Sequence, residues 1–111
     1  MEIAQKDVVL LPFPFSDLGG KKFRPALIIS NETLNKKSAD CLMVPLTTVI
    51  KDEPYSIVID DKDIKTGELA NRSRVRVDKI FSVEKRLIVA KIATLKDETF
   101  ERVKTELFKM F

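Results

Sequence analysis

Residues 21–31 read KKFRPALIISN, and this stretch contains the pattern on which the fold prediction depends. The run at 25–30 is long and apolar enough to form a strand that is buried on both faces. Arg24 stands immediately before that run, where a loop becomes a strand. A charge at the end of a strand is either solvated or directed at an anionic ligand, and the run alone does not distinguish these two interpretations.

Short runs of apolar and β-branched residues dominate the rest of the chain. They predict strands at 7–11, 25–30, 41–47, 55–59, 73–77 and 87–94, with 79–83 either continuing or bending the fifth. The segments 16–23, 31–40 and 60–71 are polar, which favours loops, with a short helical turn in the second. Pro12 and Pro14 are expected to weaken strand pairing, because proline has no backbone N–H.

The last segment changes from strand to helix periodicity. Apolar residues recur there at three- and four-residue steps, at Phe100, Val103, Leu107 and Met110. Thr94 and Asp97 have the spacing of a capping box before this helix. Short strands followed by one helix predict a single domain over residues 1–111. Its fold class is mainly β (α+β), a small curved antiparallel barrel with a C-terminal α-helix.

Composition excludes several classes of site. The chain has 111 residues, a net charge of +3 and a pI near 9.0, which permits a polyanionic partner without requiring one. It contains no histidine, the commonest metal ligand and general acid or base, and a single cysteine, Cys41, expected to be a small buried hydrophobe. We therefore expect no metal and no cofactor. No apolar run approaches the length of a membrane span, so a cytoplasmic protein is expected.

Polar residues at the ends of predicted strands are the candidates for chemistry, because strands fix their positions. They are Arg24, Thr47, Thr48, Arg76 and Asp78. An arginine fork matches phosphate oxygens, and a threonine hydroxyl adds a donor. RNA supplies its own nucleophile, the 2′-hydroxyl, so a site that aligns this group needs neither a metal nor a covalent residue. Asp78 is the candidate to accept its proton.

Structural interpretations of the same residues stay open. Arg74 and Arg76 alternate with valines, as on an ordinary exposed strand face. Thr47 is a residue type that favours strands for packing reasons alone. Ser16 and Asp17 are residue types that are common in turns. Lys21 and Lys22 contribute to solubility as readily as they bind an RNA backbone. The residue types alone therefore do not decide the function.

Four segments in the same order resemble the PemK/MazF family of toxin endoribonucleases. They are DVVLLPFPFSD at 7–17, KKFRPALIIS at 21–30, VPLTT at 44–48 and SRVRVDKIFSVEKRLIVAKIATL at 73–95. The resemblance implies an SH3-like barrel that forms a homodimer. It implies ribosome-independent and metal-independent cleavage of single-stranded mRNA at a short preferred sequence, leaving 2′,3′-cyclic phosphate and 5′-hydroxyl ends. It also implies a cognate antitoxin with an acidic tail.

The family's catalytic residues fall on positions of this chain that match its motifs. They are Arg24, Thr47, Arg76 and Asp78, while the expected RNA contacts are Ser16, Asp17, Lys21, Lys22, Thr48 and Arg74. Many members carry glycine before the first-strand aspartate, where this chain has Lys6. Some carry an acidic residue or a histidine in the loop at 16–23, and this chain has no histidine there. The resemblance therefore leaves the general base unidentified.

Two other functions are compatible with the same fold. One is a non-enzymatic toxin that binds gyrase, as CcdB-like proteins do. The other is a barrel that binds RNA or an antitoxin without cutting. The strand-end set of Arg24, Thr47, Arg76 and Asp78 favours the nuclease over both.

Overall fold

The computed structural model describes residues 2–14 and 21–111, with Phe13, Pro14 and Lys21 described by their backbone only. In this part of the chain the strands are β1 (Asp7–Pro14), β2 (Lys21–Ile28), β3 (Asp40–Thr47), β4 (Ser56–Ile59), β5 (Ile64–Gly67), β6 (Ser73–Arg76), β7 (Phe81–Glu84) and β8 (Ala90–Leu95). The helices are α1 (Glu32–Lys37) and α2 (Asp97–Phe108), and 3₁₀ turns lie at Asp61–Asp63 and Lys85–Leu87.

All the strand pairs in the described residues are antiparallel, and they form one curled sheet. The spatial order is β4-β6-β3-β2-β1-β8-β5, and β7 also pairs with β3. One edge of β3 pairs with β2. The other edge pairs with β7 over the first half of the strand and with β6 at its end. This half-barrel with a C-terminal helix confirms the predicted fold class.

Two apolar clusters lie on opposite faces of the sheet, because successive side chains of a strand point to opposite sides. The main core contains Leu27, Val44, Leu46 and Val75, and α2 covers it with Phe100 and Val103. The second core contains Val9, Leu11, Ala26, Ile28, Cys41 and Met43. Neither helix of the described residues is long and apolar enough to cross a membrane.

The expected weakening of β1 at Pro12 and Pro14 is not found on the β2 side, where pairing continues to Pro14↔Lys21. Pairing of β1 with β8 ends at Leu10↔Ala90, and the Leu10 carbonyl accepts from Val89 N–H on that side. Pro12 and Pro14 alternate with Leu10, so their nitrogens point away from β2, where the missing N–H groups remove no ladder bond.

The predicted capping box does not form, because both of its residues bind elsewhere. Thr94 lies in β8 and its Oγ1 donates to Asp7 Oδ1 at 2.9 Å, while Asp97 pairs with Lys6 Nζ at 3.0 Å. The N-cap position is Lys96, which makes no side-chain cap bond. Thr94 and Asp97 therefore bind residues that are distant in the sequence and do not cap the N-terminus of α2.

The strand β5 lies inside the predicted polar connection, where the sequence pattern predicted no strand. Its sequence IKTG has little apolar content, and it is a strand because it pairs with β8. Gly67 has φ +81°, and a Cβ there would lie 2.2 Å from the Ile92 carbonyl oxygen. The close approach of two backbones therefore requires glycine at this position.

Candidate active site

The register between β2 and β3 brings Arg24 and Thr47 to the same level of the sheet. Ala26 pairs with Pro45, and the antiparallel register continued by two residues sets Arg24 opposite Thr47. Thr47 pairs in turn with Arg74 of β6. Arg24 lies inside β2 and not at its start, because the strand begins at Lys21 rather than at Pro25 as the sequence predicted, while Thr47 ends β3. The two polar residues therefore lie side by side on adjacent strands.

Alternation along the strands also puts these residues on one face. Val44 and Leu46 point into the main core, so Pro45 and Thr47 point to the opposite face. Arg24 alternates with Ala26 and Ile28, which belong to the second core on that same face. Arg24 is exposed and Thr47 half-buried, so a ligand on this face can reach both.

The end of β6 adds Arg76 and Asp78 to this face. Val75 and Val77 are buried in the main core, which turns Arg74 and Arg76 to the other side, as the sequence pattern predicted. Arg76 Nη2 lies 3.0 Å from Asp78 Oδ2. Because β2 and β6 flank β3, the strands bearing Arg24 and Arg76 are about 10 Å apart. Two long arginine side chains can meet over one phosphate across that distance.

Arg76 also carries a donor that finds no acceptor among residues 2–14 and 21–111. Its Nε atom is buried, and in the described residues no hydrogen-bond acceptor meets it. Beside it lies a cleft of about 320 Å³ lined by Pro45, Arg76, Lys79, Ile80 and Phe81. A buried donor without an acceptor is costly, and its cost is relieved when a bound ligand supplies an acceptor.

The side chains of Thr47 and Arg74 fix the loop that follows β3. Val49 N–H donates to Thr47 Oγ1 at 3.1 Å, and Arg74 Nε donates to the Val49 carbonyl at 3.2 Å. Arg74 is only 5% exposed, so this expected RNA contact is held beneath the surface by the loop. Thr48, another expected contact, lies beyond the strand end and is exposed.

Among the remaining expected RNA contacts, Lys22 is the one whose side chain the structure describes. Lys22 is exposed and lies on β2 two residues before Arg24, so it shares the face of Arg24. Lys21 begins β2, and its side chain is outside the described part of the structure. Ser16 and Asp17 also lie outside the described residues.

The cleft beside Arg76 is completed by Lys79, Ile80 and Phe81, which the sequence pattern did not predict as site residues. Lys79 N–H donates to the Arg76 carbonyl at 3.1 Å, which closes a turn and brings Lys79 back beside Arg76. Ile80 and Phe81 follow directly and line the apolar side. The signal in the sequence was the change from strict alternation to VDKI at 77–80, which marks a turn rather than a continuing strand.

A larger cleft of about 920 Å³ lies elsewhere, between the N-terminal segment, α1 and the 3₁₀ turn at Lys85–Leu87. Three of its cations already have carboxylate partners: Lys36 with Glu32, Arg86 with Glu84 and Lys91 with Asp7. Its size exceeds that of the cleft beside Arg76, but its charges are largely compensated. In the described ranges no three His, Cys, Asp or Glu residues are grouped as a metal site requires.

Comparison with known proteins places the chain among toxins. The family model of the PemK-like, MazF-like toxin of type II toxin-antitoxin system matches residues 4–111. An endoribonuclease in complex with its cognate antitoxin from Mycobacterial species is 25% identical, with a TM-score of 0.76 and coverage of 97% of this chain and 93% of that one.

Two further structures share the fold at lower identity. MazE-MazF from Deinococcus radiodurans is 20% identical, with a TM-score of 0.79 and coverage of 97% and 94% of the two chains. The Mycobacterium tuberculosis toxin MazF-mt6 is 16% identical, with a TM-score of 0.70 and coverage of 91% and 93%. Curated protein sequences gave no match. Since the family model spans nearly all of the sequence, the chain belongs to the family of PemK-like, MazF-like toxins of type II toxin–antitoxin systems.

Proposed function

We propose that this toxin is a sequence-specific, metal-independent endoribonuclease that cleaves single-stranded mRNA and leaves 2′,3′-cyclic phosphate and 5′-hydroxyl ends. It acts in the cytoplasm as a homodimer, and a cognate antitoxin with an acidic tail occupies its RNA-binding face. Family membership and the likeness to an endoribonuclease bound to its antitoxin support this activity and this partner.

The observation that carries the proposal is the position of the candidate catalytic residues on one sheet face. Arg24 and Thr47 lie level on adjacent strands, and Arg76 lies on the next strand with Asp78 in ion-pair contact. Four groups that the sequence spreads over more than fifty positions thus lie on one face of three adjacent strands. Residues that served only to stabilise the fold would not need to lie on the same face of the sheet.

The chemistry follows from the donors on this face. The ribose 2′-oxygen attacks the adjacent phosphorus and forms a P–O2′ bond, while the P–O5′ bond breaks. Asp78 accepts the proton of the 2′-hydroxyl, and the departing 5′-oxygen takes up a proton from solvent. Arg24, Arg76 and the Thr47 hydroxyl donate to the phosphoryl oxygens, where negative charge grows in the transition state. Arginine acts through its charge, because its pKa is too high for proton transfer.

The test uses a long unstructured RNA and the purified full chain. Wild-type protein is expected to produce new 5′-hydroxyl ends at a restricted set of sequences, with no change on addition of EDTA. Arg24→Ala is expected to lose at least about a hundredfold in cleavage rate, since each lost donor of this kind costs that much. Because Arg24 is exposed, the variant is expected to keep its fold by circular dichroism.

Arg86→Ala is the matched control, because Arg86 is an exposed arginine paired with Glu84 away from the cleft beside Arg76. It is expected to cleave at the wild-type rate. Undiminished cleavage by Arg24→Ala would remove that residue from the mechanism. Cleavage that EDTA abolishes and magnesium restores would refute the metal-independent reaction.

A further inference from the structure

The cleft beside Arg76 has a chemistry that phosphate binding alone does not explain. Of the described residues that line it, Pro45, Ile80 and Phe81 are apolar, while Arg76 and Lys79 carry positive charge. A phosphate is strongly hydrated and gains nothing from apolar walls. A nucleobase has a flat apolar face and a polar edge, which are the two properties that this lining complements.

We propose that this cleft receives one base next to the scissile phosphate and that Lys79 selects it through the polar edge of the base. The proposal rests on the ribonuclease function proposed above and assigns part of its sequence preference to one residue.

Geometry places Lys79 at the mouth of the cleft. The turn closed by Lys79 N–H and the Arg76 carbonyl holds the two residues together at 3.1 Å between those backbone atoms. A base bound there would be adjacent to a phosphate held by Arg76. Lys79 is exposed, and among the described residues its ammonium has no ion-pair partner. Its donors are therefore available to a ligand.

Apolar contact would hold the base in place. Phe81 is half-buried and continues from the second core, while Ile80 is 42% exposed. Stacking of a base on an aromatic or apolar surface is worth about 1–3 kcal/mol and does not depend strongly on which base it is. The apolar residues therefore supply affinity, and a polar residue must supply the selection.

The ammonium group of lysine determines which bases are accepted. It offers three donors and no acceptor. At the position where guanine and uracil present a carbonyl oxygen, O6 or O4, adenine and cytosine present an amino group, which is itself a donor. Lys79 is therefore expected to favour guanine or uracil at one position of the cleavage site, and to disfavour adenine and cytosine there.

The experiment follows sequence preference in two ways. In the cleavage arm, a single-stranded RNA library with a randomised segment is cut by the full chain and the new 5′-hydroxyl ends are sequenced. In the binding arm, the same library made with 2′-fluoro sugars, which lack the nucleophile, is selected for retention on the protein. The variants are Lys79→Met, which keeps the aliphatic stem, and Lys79→Glu, which replaces donors by acceptors.

Lys79→Met is expected to reduce the preference for guanine or uracil at one position by about 5- to 100-fold, the range given by one good base contact. Preferences at the other positions are expected to stay as in wild type. Lys79→Glu is expected to shift that position toward cytosine or adenine, because a carboxylate accepts from an amino group. Lys65→Met is the matched control, an exposed lysine on β5 at the other end of the strand order, and is expected to select as wild type does.

Two results would overturn the proposal. If Lys79→Met lowers cleavage and retention equally for all sequences, the residue contacts phosphate and not a base. If its selected sequences match those of wild type in both arms, it contacts no base. Failure of wild type to cleave would refute the proposed function separately, and the binding arm would still decide whether Lys79 selects a base.

Discussion

The Arg76 guanidinium and the Asp78 carboxylate lie 3.0 Å apart, joined across the turn that ends β6. About a third of each side chain remains exposed, at 34% for Arg76 and 33% for Asp78. An ion pair this accessible contributes at most about 1 kcal/mol to folding. Its stronger consequence is geometric, because it orients both groups on the face that also carries Arg24 and Thr47.

Asp78→Asn therefore separates catalysis from stability. The amide keeps the shape of the side chain but cannot accept the 2′-hydroxyl proton, so the cleavage rate is expected to fall by about 100- to 10,000-fold. The melting temperature is expected to change little, since an exposed pair stabilises weakly. Single-turnover cleavage of a short RNA and thermal denaturation measure the two effects. A variant that cleaves at the wild-type rate would show that another group accepts the proton.

Thr47→Val and Thr47→Ser test the hydroxyl. Thr47 Oγ1 accepts from Val49 N–H at 3.1 Å, and its own hydroxyl hydrogen can still rotate to donate to a phosphoryl oxygen. Serine keeps this arrangement, so its rate is expected to stay within about tenfold of wild type. Valine removes the donor and is expected to lose about a hundredfold. Equal rates for the two variants would assign Thr47 a packing role only.

Much of the fold was predictable because its signals are local and periodic. Alternation in β6 correctly separated Val75 and Val77 from Arg74 and Arg76, and the apolar spacing located α2. The family was predictable because the four segments that resemble it, within 7–95, all lie inside the matched residues 4–111. The roles of the individual site residues stay predictions until such variants are measured.

The features that were missed depend on pairing across long distances in sequence. β5 is a strand because of β8, and the capping box failed because Asp7 and Lys6 bind Thr94 and Asp97. The cleft beside Arg76 exists because a turn folds Lys79 back onto Arg76, and nothing in the composition of VDKI identifies its apolar side as a binding surface.

Lys6 is expected to be strained, and the strain can be measured. Its φ of 82° is the conformation that favours glycine. Hydrogen bonds from Lys6 N–H to the Ile28 carbonyl and from Leu95 N–H to the Lys6 carbonyl hold the backbone in place. Lys6→Gly and Lys6→Ala both lose the ion pair with Asp97, so their difference isolates the backbone.

Urea denaturation is expected to find Lys6→Gly more stable than Lys6→Ala by about 1 kcal/mol, because only alanine retains the left-handed penalty. Equal free energies of unfolding for the two variants would mean that the position relaxes without cost.

Cys41 gives a prediction of pH dependence. Its side chain is fully buried, and burial raises the pKa of the thiol above its ordinary value because the thiolate would be desolvated. The folded state therefore holds its proton at pH values where the unfolded thiol, with a pKa of about 8.5, has lost it. The contribution of this thiol to the free energy of unfolding is complete below about pH 8.5. It declines as the pH rises toward the folded pKa, by at most about 1.4 kcal/mol per pH unit.

Between pH 8 and 10 the free energy of unfolding is expected to fall more steeply for wild type than for Cys41→Ala. The loss of volume in this variant lowers the free energy of unfolding at every pH but does not change its slope against pH. A thiol reagent is expected to label Cys41 only in denaturant, and parallel pH curves or rapid labelling of the native protein would contradict this account.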